Sequence, residues 1–226
     1  MKMNMNDQRE IFKTEGDNYF CRNKETLEKA QNNDVVEYLK WSGLKVGRIL
    51  DVGCCFGHVL HLIKSTFPDT ELFGFDPSWE AIGYGKKMYP DLHLRQGFAH
   101  DLSHYEDGSF DLVVISFVLS WIDRALLLKT VAEIDRVLKN NGHLIIRDFA
   151  PSGPCKVEYH HLPGQGVYTF KHNYWQIFSS TQLYTIIYEH EFLHAPGDEL
   201  KNENVCKFVV LQKRPELNYS INKKEL

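Results

Sequence analysis

Between Arg48 and Ile63 the chain reads RILDVGCCFGHVLHLI. An apolar run ends in Asp51, passes Gly53 and Gly57, and turns amphipathic. Glycines where a strand meets a helix let backbone N–H groups approach a ligand, and the helix N-terminus behind them favours negative charge. The spacing Gly53-Cys54-Cys55-Phe56-Gly57 is not G-x-G-x-x-G, and no Walker lysine follows, which argues against a phosphate cradle. Asp76 closes a second apolar run 25 positions after Asp51, where a carboxylate can accept both hydroxyls of a ribose. A glycine turn with a ribose acid and no phosphate loop points to an adenosine ligand lacking a pyrophosphate.

A second group of reactive side chains flanks Pro163-Gly164-Gln165-Gly166, which reads as the turn of a β-hairpin. With that turn His161 pairs with Tyr168, Tyr159 with Phe170 and Val157 with His172, all on one face. Glu158, His160, Thr169 and Lys171 fall on the other. The first face suits a lid closing on a bound acceptor, with His161 or His172 as general base and Tyr159, His160 and Tyr168 around the substrate. The plainer reading is that this face packs on the domain with its histidines wet at the rim. Adjacent strand residues diverge, so these histidines form no metal site. A third group is EGDNYFCRN, Glu15 to Asn23, where Arg22 can clamp a cofactor carboxylate and Tyr19 can cover a transfer channel. Otherwise the stretch is a helix start with Arg22 on the surface.

The elements that must position these groups follow from periodicity. One N-terminal helix is predicted over 24–43, stopped near Gly43. RILDVG, ELFGFD, LHLRQG, FDLVVISFVL and HLIIRDF read as five strands, the fourth being the most apolar, as expected at the centre of a parallel sheet. Helices alternate with them: one from Phe56 to Phe67, one from Ser78 to about Met88 with Ser78 as N-cap, and one from Arg124 to Asn140 capped by Gly142. The pattern is a doubly wound α/β, Rossmann-like sheet, with its ligand crevice at the strand C-termini beside the first turn. Past Phe149 the hairpin is inserted (151–175), a short helix runs from Tyr174 to Gln182, and YTIIYEHEFLHA and VCKFVVLQKR close the sheet in antiparallel fashion. The expected whole is seven strands, mostly parallel, with one antiparallel strand at the C-terminal end, in a single domain over 1–214 followed by a polar tail at 215–226.

Composition narrows the partners. The 226 residues carry a formal net charge of −4, so no broad basic field offers itself to nucleic acid or to an anionic membrane. The start MKMNMNDQRE is polar, and no apolar run approaches the roughly 20 residues of a membrane span. Five scattered cysteines without a CxxC pair fit neither a zinc site nor a disulfide framework, and point to a reducing cytoplasm. Nothing in the sequence sets an oligomeric state.

Four segments in register carry a resemblance. LDVGCCFG resembles the first motif of class I S-adenosylmethionine (SAM)-dependent methyltransferases, GFDPS the second, GFAHDL the segment that contacts adenine, and FDLVVISFVLSWI the fourth. The match covers roughly Arg48 to Phe149. The resemblance implies SAM as cofactor: Asp51 orienting the turn, the Gly53, Cys55 and Gly57 backbone at the methionine end, Asp76 on the ribose and Pro77 beside the adenine. Asp101 would accept from the adenine amino group, Leu102 pack the ring and Ser116 approach the sulfonium. Asp101 as a helix N-cap and Ser116 as an ordinary strand residue remain open, as does Trp121 between substrate stacking and core. One departure is Cys55, where the family usually has glycine, because a Cβ there narrows the approach to the cofactor. A short GD-aromatic-x-RN start also resembles methyltransferases linked to bacterial surface-sugar biosynthesis, such as that of nonulosonic acids. The expected activity is methyl transfer to oxygen or nitrogen of a small polar acceptor such as an activated sugar. The rivals are a tRNA or protein methyltransferase and a SAM-binding subunit without catalysis.

Overall fold

The structure, a computed structural model, describes residues 14–194 and 201–219. Its strands are β1 (Arg48–Val52), β2 (Glu71–Asp76), β3 (His93–Gln96), β4 (Phe110–Ser116), β5 (Leu138–Phe149), β6 (Cys155–Glu158), β7 (Tyr168–Lys171), β8 (Tyr184–Leu193) and β9 (Val205–Lys213). Seven of them form one sheet in the order β3-β2-β1-β4-β5-β9-β8, and β6 with β7 forms the separate hairpin. β9 runs antiparallel to both β5 and β8, while β1 to β5 pair in parallel. The expected sheet and its single reversed strand are therefore present.

The helices are α1 (Glu15–Glu28), α2 (Asp34–Ser42), α3 (His58–Thr66), α4 (Trp79–Met88), α5 (Leu127–Val137) and α6 (Trp175–Ser179). The single helix expected over 24–43 is two. Asn33 adopts extended backbone and its side chain accepts the Val35 N–H at 2.9 Å, so a new N-cap starts α2. Gly43 ends α2 in the left-handed region, as its position implied. Ser78 caps α4, taking the Ala81 N–H at 3.0 Å. α5 stops at Val137 rather than Asn140, because Leu138 already enters β5 opposite Phe110. The short helix expected from Tyr174 to Gln182 shrinks to Trp175–Ser179.

Apolar residues cover both faces of the sheet. Leu50, Val52, Val113, Ile115, Leu144 and Ile146 face α5 and α6, and Ile49, Leu112, Val114 and Ile145 face α2 and α3. A third, smaller cluster joins Phe20 of α1 to Cys55, Phe56 and Ala81. Burying a ring such as Phe20 contributes about 1.5–3 kcal/mol, enough to hold α1 across the first βα turn.

The hairpin register differs from the expected one. Cys155 pairs with Lys171, Lys156 with Phe170, Val157 with Thr169 and Glu158 with Tyr168. The anticipated pairs His161–Tyr168, Tyr159–Phe170 and Val157–His172 are not formed. Tyr159 and Val167 close the loop with a 2.9 Å backbone bond, and two further turns fold it, Leu162 N–H to Tyr159 O and Gln165 N–H to Leu162 O. Gly164 and Gly166 both lie at positive φ within that loop. Because the side-chain period of a strand is two, this three-residue shift exchanges the faces.

Candidate active site

Two glycines shape the β1–α3 turn. Gly53 has φ +87° and donates to Phe75 O at 2.6 Å, and Gly57 has φ +84° and donates to Cys54 O at 2.9 Å. Cys55 also sits at positive φ, +52°, a conformation that strains an L side chain by about 1–2 kcal/mol. The departure from glycine is thus accommodated without changing the turn. The cysteine takes the glycine conformation, and its side chain is buried in the cluster with Phe20, Phe56 and Ala81. Asp76 ties the turn to β2: one carboxylate oxygen accepts the Cys55 N–H at 2.8 Å and the other accepts the Ser78 N–H at 2.8 Å.

Both acids at the strand ends hold their protons to higher pH than an ordinary carboxyl. Burial, then the negative charge of Asp76, pushes the Asp51 carboxyl up to about 7. Burial pushes Asp76 up to about 6 against the two N–H groups that favour its ionised form. A carboxylate accepting ribose hydroxyls, or facing a sulfonium, has to be ionised. Affinity for SAM is expected to rise roughly tenfold between pH 5 and pH 7.5, readable by calorimetry across that range. Stability without ligand has the opposite slope. A carboxyl raised in the folded state binds its proton more tightly than the unfolded chain, so this contribution is present near pH 4 and lost as pH climbs toward 7. A pH-independent affinity would remove both carboxyls from the ligand's surroundings.

α1 and the hairpin roof the turn. Asp17 accepts from Ser78 Oγ at 2.5 Å and from the Glu80 N–H at 3.1 Å, which docks α1 on the start of α4. Glu15 pairs with Arg22, Arg22 Nη2 donates to the Tyr159 hydroxyl at 2.7 Å, and that hydroxyl donates to Glu15 Oε1 at 2.7 Å. Glu15 and Tyr159 are only 3% and 6% exposed, whereas the Arg22 side chain is 32% exposed, so the latch is buried at its carboxylate and hydroxyl and reaches water at its guanidinium. Burial raises the Glu15 carboxyl, but the Tyr159 hydroxyl and the Arg22 guanidinium outweigh it and hold it below the usual range. The Tyr19 hydroxyl is raised by burial and then by Cys55 and Asp76. Removing the bridging hydroxyl in Tyr159→Phe is expected to speed release of S-adenosylhomocysteine several-fold in stopped flow, with little change in melting temperature. An unaltered off-rate would mean that the ligand leaves by another route.

The other anticipated residues are scattered more widely. Arg22 stands at the roof, its Nη2 held by Glu15 and Tyr159. Trp121 packs edge-on to Tyr159 with ring centres 4.6 Å apart, and Asp148 fixes its short helical turn by accepting the Ser120 N–H at 3.2 Å. His161 is exposed in the hairpin loop, 5.2 Å from the Tyr159 ring and 4.0 Å from that of exposed His160. His172 lies elsewhere, half-buried against Tyr174, its imidazole lowered by burial and by Arg124. The two candidate bases are therefore not on one face. Tyr168 carries the Lys156 ammonium 4.5 Å from its ring rather than joining His161. Pro77 O accepts from the Gln96 amide at 3.0 Å, beside Asp76. Ser116 is half-buried at the end of β4, opposite Arg147.

Asp101 is exposed and accepts the Ser103 N–H at 3.3 Å, so it caps a turn and begins no helix. Leu102 is fully enclosed, its N–H on Glu133 at 2.8 Å and its carbonyl on Arg136 at 2.9 Å, which leaves no side-chain face for a ring. Sequence reasoning passed over Glu15, Arg147 and Asp148. For the last two, the polar pair Arg147-Asp148 at the end of an otherwise apolar strand was the available signal.

Comparison with known proteins bears on this geometry. Residues 50–146 match the family described as a methyltransferase domain. A demethylmenaquinone methyltransferase of Thermotoga maritima is 33% identical over 105 residues, 46% of this chain and 44% of that protein. A tRNA N(3)-cytidine methyltransferase of Danio rerio is 30% identical over 172 residues, 65% of this chain and 49% of that protein. The chain thus spans about half the length of the curated relatives it matches. Among solved structures, a Burkholderia thailandensis 1,6-didemethyltoxoflavin-N1-methyltransferase with bound S-adenosylhomocysteine superposes with a TM-score of 0.65 at 12% identity, covering 91% of this chain and 87% of that one. At that identity the likeness is one of fold.

Proposed function

We propose that this chain, which carries a methyltransferase domain of the SAM-dependent class at residues 50–146, transfers the methyl of SAM to a small-molecule acceptor. The observation that carries the reading is the turn in which Asp76 joins the Gly53–Gly57 backbone to α4 beneath a closed roof. SAM, when bound, supplies a methyl already activated by a sulfonium. The chain's task is then to position and exclude water, which can supply about 7–11 kcal/mol. Asp76 holds the ribose, the Gly53, Cys55 and Gly57 backbone lines the methionine end with Asp51 behind it, and Tyr19 and Arg22 close that end. Pro77, Asp101 and the Leu102 backbone border the adenine, and Ser116 borders the transfer channel.

The acceptor comes in beside Trp121, Tyr159, His160 and Tyr168. The Glu15–Arg22–Tyr159 latch spans that opening, and its buried Glu15 and Tyr159 favour a small guest over a polynucleotide. A hydroxyl acceptor, such as that of an activated sugar, needs a base, and His161 is the better placed of the two histidines. Slight desolvation, then Arg22 and His160, lower its imidazole while Glu15 raises it, a net shift toward the neutral form that a base uses. The similarity to a tRNA methyltransferase over 65% of the chain favours a second reading, in which the acceptor is tRNA. Free thiols at all five cysteines fit a reducing cytoplasm, and among the described residues no helix is long and apolar enough to cross a membrane.

Calorimetric titration with S-adenosylhomocysteine tests the cofactor half. Micromolar binding supports it, and no binding would favour a subunit that does not transfer methyl groups. Steep, salt-dependent retention on tRNA would bring the second reading forward.

A further inference from the structure

Arg147 lies opposite Ser116 in the last β4–β5 pair, and its carbonyl accepts the Phe117 N–H at 2.7 Å. Its Nε donates to Asp34 at 2.9 Å. Its guanidinium carbon lies 4.7 Å from the ring centre of Phe117 and 4.4 Å from that of Phe192. Neither terminal amino group has a hydrogen-bond partner among the described residues. A guanidinium set against two rings that meet edge-on, with its Nε paired and its Nη groups unpaired among the described residues, presents donors of the kind that bind carboxylate or phosphate.

The surroundings add a second observation. Phe117 is held at φ +54°, a conformation that strains a bulky residue and aims its ring across the end of β4. Phe117 and Phe149 meet edge-on at 5.4 Å, and His194 lies 5.0 Å from the first ring and 4.8 Å from the second. The Lys171 ammonium sits 3.9 Å from the Phe149 ring while it donates to Glu203 O, adding a second positive charge to the same end of the sheet. The pairing of Arg147 with Ser116 puts the cluster at the C-terminal end of β4. Tying α2 to the sheet would need only the Asp34 pair. It would not need two rings beside the guanidinium or a strained phenylalanine.

We infer that Arg147 reads an anionic group, a carboxylate or a phosphate, on an acceptor whose flat or apolar body lies against the half-buried Phe117 and Phe192. The assignment of this place to the acceptor rests on the methyltransferase reading above, whereas the anion site itself does not.

The test is titration of the full chain with benzoate, phenyl phosphate and benzyl alcohol, each with and without S-adenosylhomocysteine. At least one of the two anions should bind about tenfold or more tighter than benzyl alcohol, and the stronger anion names the group. Arg147→Gln should weaken that anion about tenfold or more and leave benzyl alcohol and S-adenosylhomocysteine within about twofold. Arg147→Lys should keep part of the affinity, as a point charge without the fork. Asp34→Asn should raise it a few-fold by freeing the guanidinium, and this variant serves even where Arg147→Gln folds poorly. No preference for either anion over benzyl alcohol, or an anion affinity indifferent to Arg147 and Asp34, would overturn the inference. Failure of S-adenosylhomocysteine to bind would bring down the methyltransferase reading instead. An Arg147-dependent anion site would survive that result.

Discussion

Asp76→Ala is expected to abolish measurable binding of S-adenosylhomocysteine while the sheet remains folded. The carboxylate holds the Cys55 and Ser78 N–H groups, and on the proposed reading it also accepts the ribose hydroxyls. Hydrogen bonds to a charged group are worth about 1.5–3 kcal/mol each, so losing two toward the ribose weakens binding by about 10² to 10⁴-fold. A micromolar complex, near −8 kcal/mol, would then fall to about 0.1–10 mM. Asp76→Asn keeps an acceptor without the charge and should fall between the two. Calorimetry reads the affinity and a thermal melt verifies the fold. Equal affinity in the alanine variant would mean that some other group carries the ribose.

The second large effect is on the turn itself. At φ +87° Gly53 occupies backbone space that costs an L residue about 1–2 kcal/mol, and a Cβ there would lie 2.1 Å from Val118 Cγ2. Such overpacking adds about 1–3 kcal/mol. Gly53→Ala should therefore lower the melting temperature by roughly 5–15 °C in a chain of this size. It should also weaken S-adenosylhomocysteine, because the turn can relieve the clash only by moving. Adding Val118→Ala removes the clash and leaves the dihedral strain. The double variant should recover part of the lost stability, and recovery of none would refute the steric cause.

Both effects were legible in the amino acids because they are local. Gly53, Gly57 and Asp76 lie at strand ends whose apolar runs fix where each strand stops, and Ser78 follows as a cap from the helix behind it. The five parallel strands were legible for the same reason: β4 is apolar throughout and can only be central. The hairpin was not. Its faces depend on whether the loop is centred between Gly164 and Gln165 or at Pro163, and two nested turns inside the loop settle that without a mark in the strand pattern. The break at Asn33 was hidden for another reason. Asparagine favours an N-cap over a helix interior, but helical residues on both sides of it masked that signal, and the packing of Val35, Val36 and Leu39 on the sheet face of α2 sets the new start. Arg147 and Phe117 show the limit most clearly. A charged residue at a strand end is ordinary, and the left-handed dihedral that brings the phenylalanine against it cannot be read from composition.

The latch of Glu15, Arg22 and Tyr159 has a kinetic side. On the proposed reading, a spent nucleoside under that roof would leave after the Glu15–Arg22 pair and its shared hydroxyl come apart, which would put opening in series with chemistry. Turnover would then be set by residence time. The expected result is a burst in the first cycle, later cycles that follow the slower step, and strong product inhibition. A cell using this protein would depend on prompt removal of S-adenosylhomocysteine from its surroundings, since anything that lets the product accumulate keeps the roof shut.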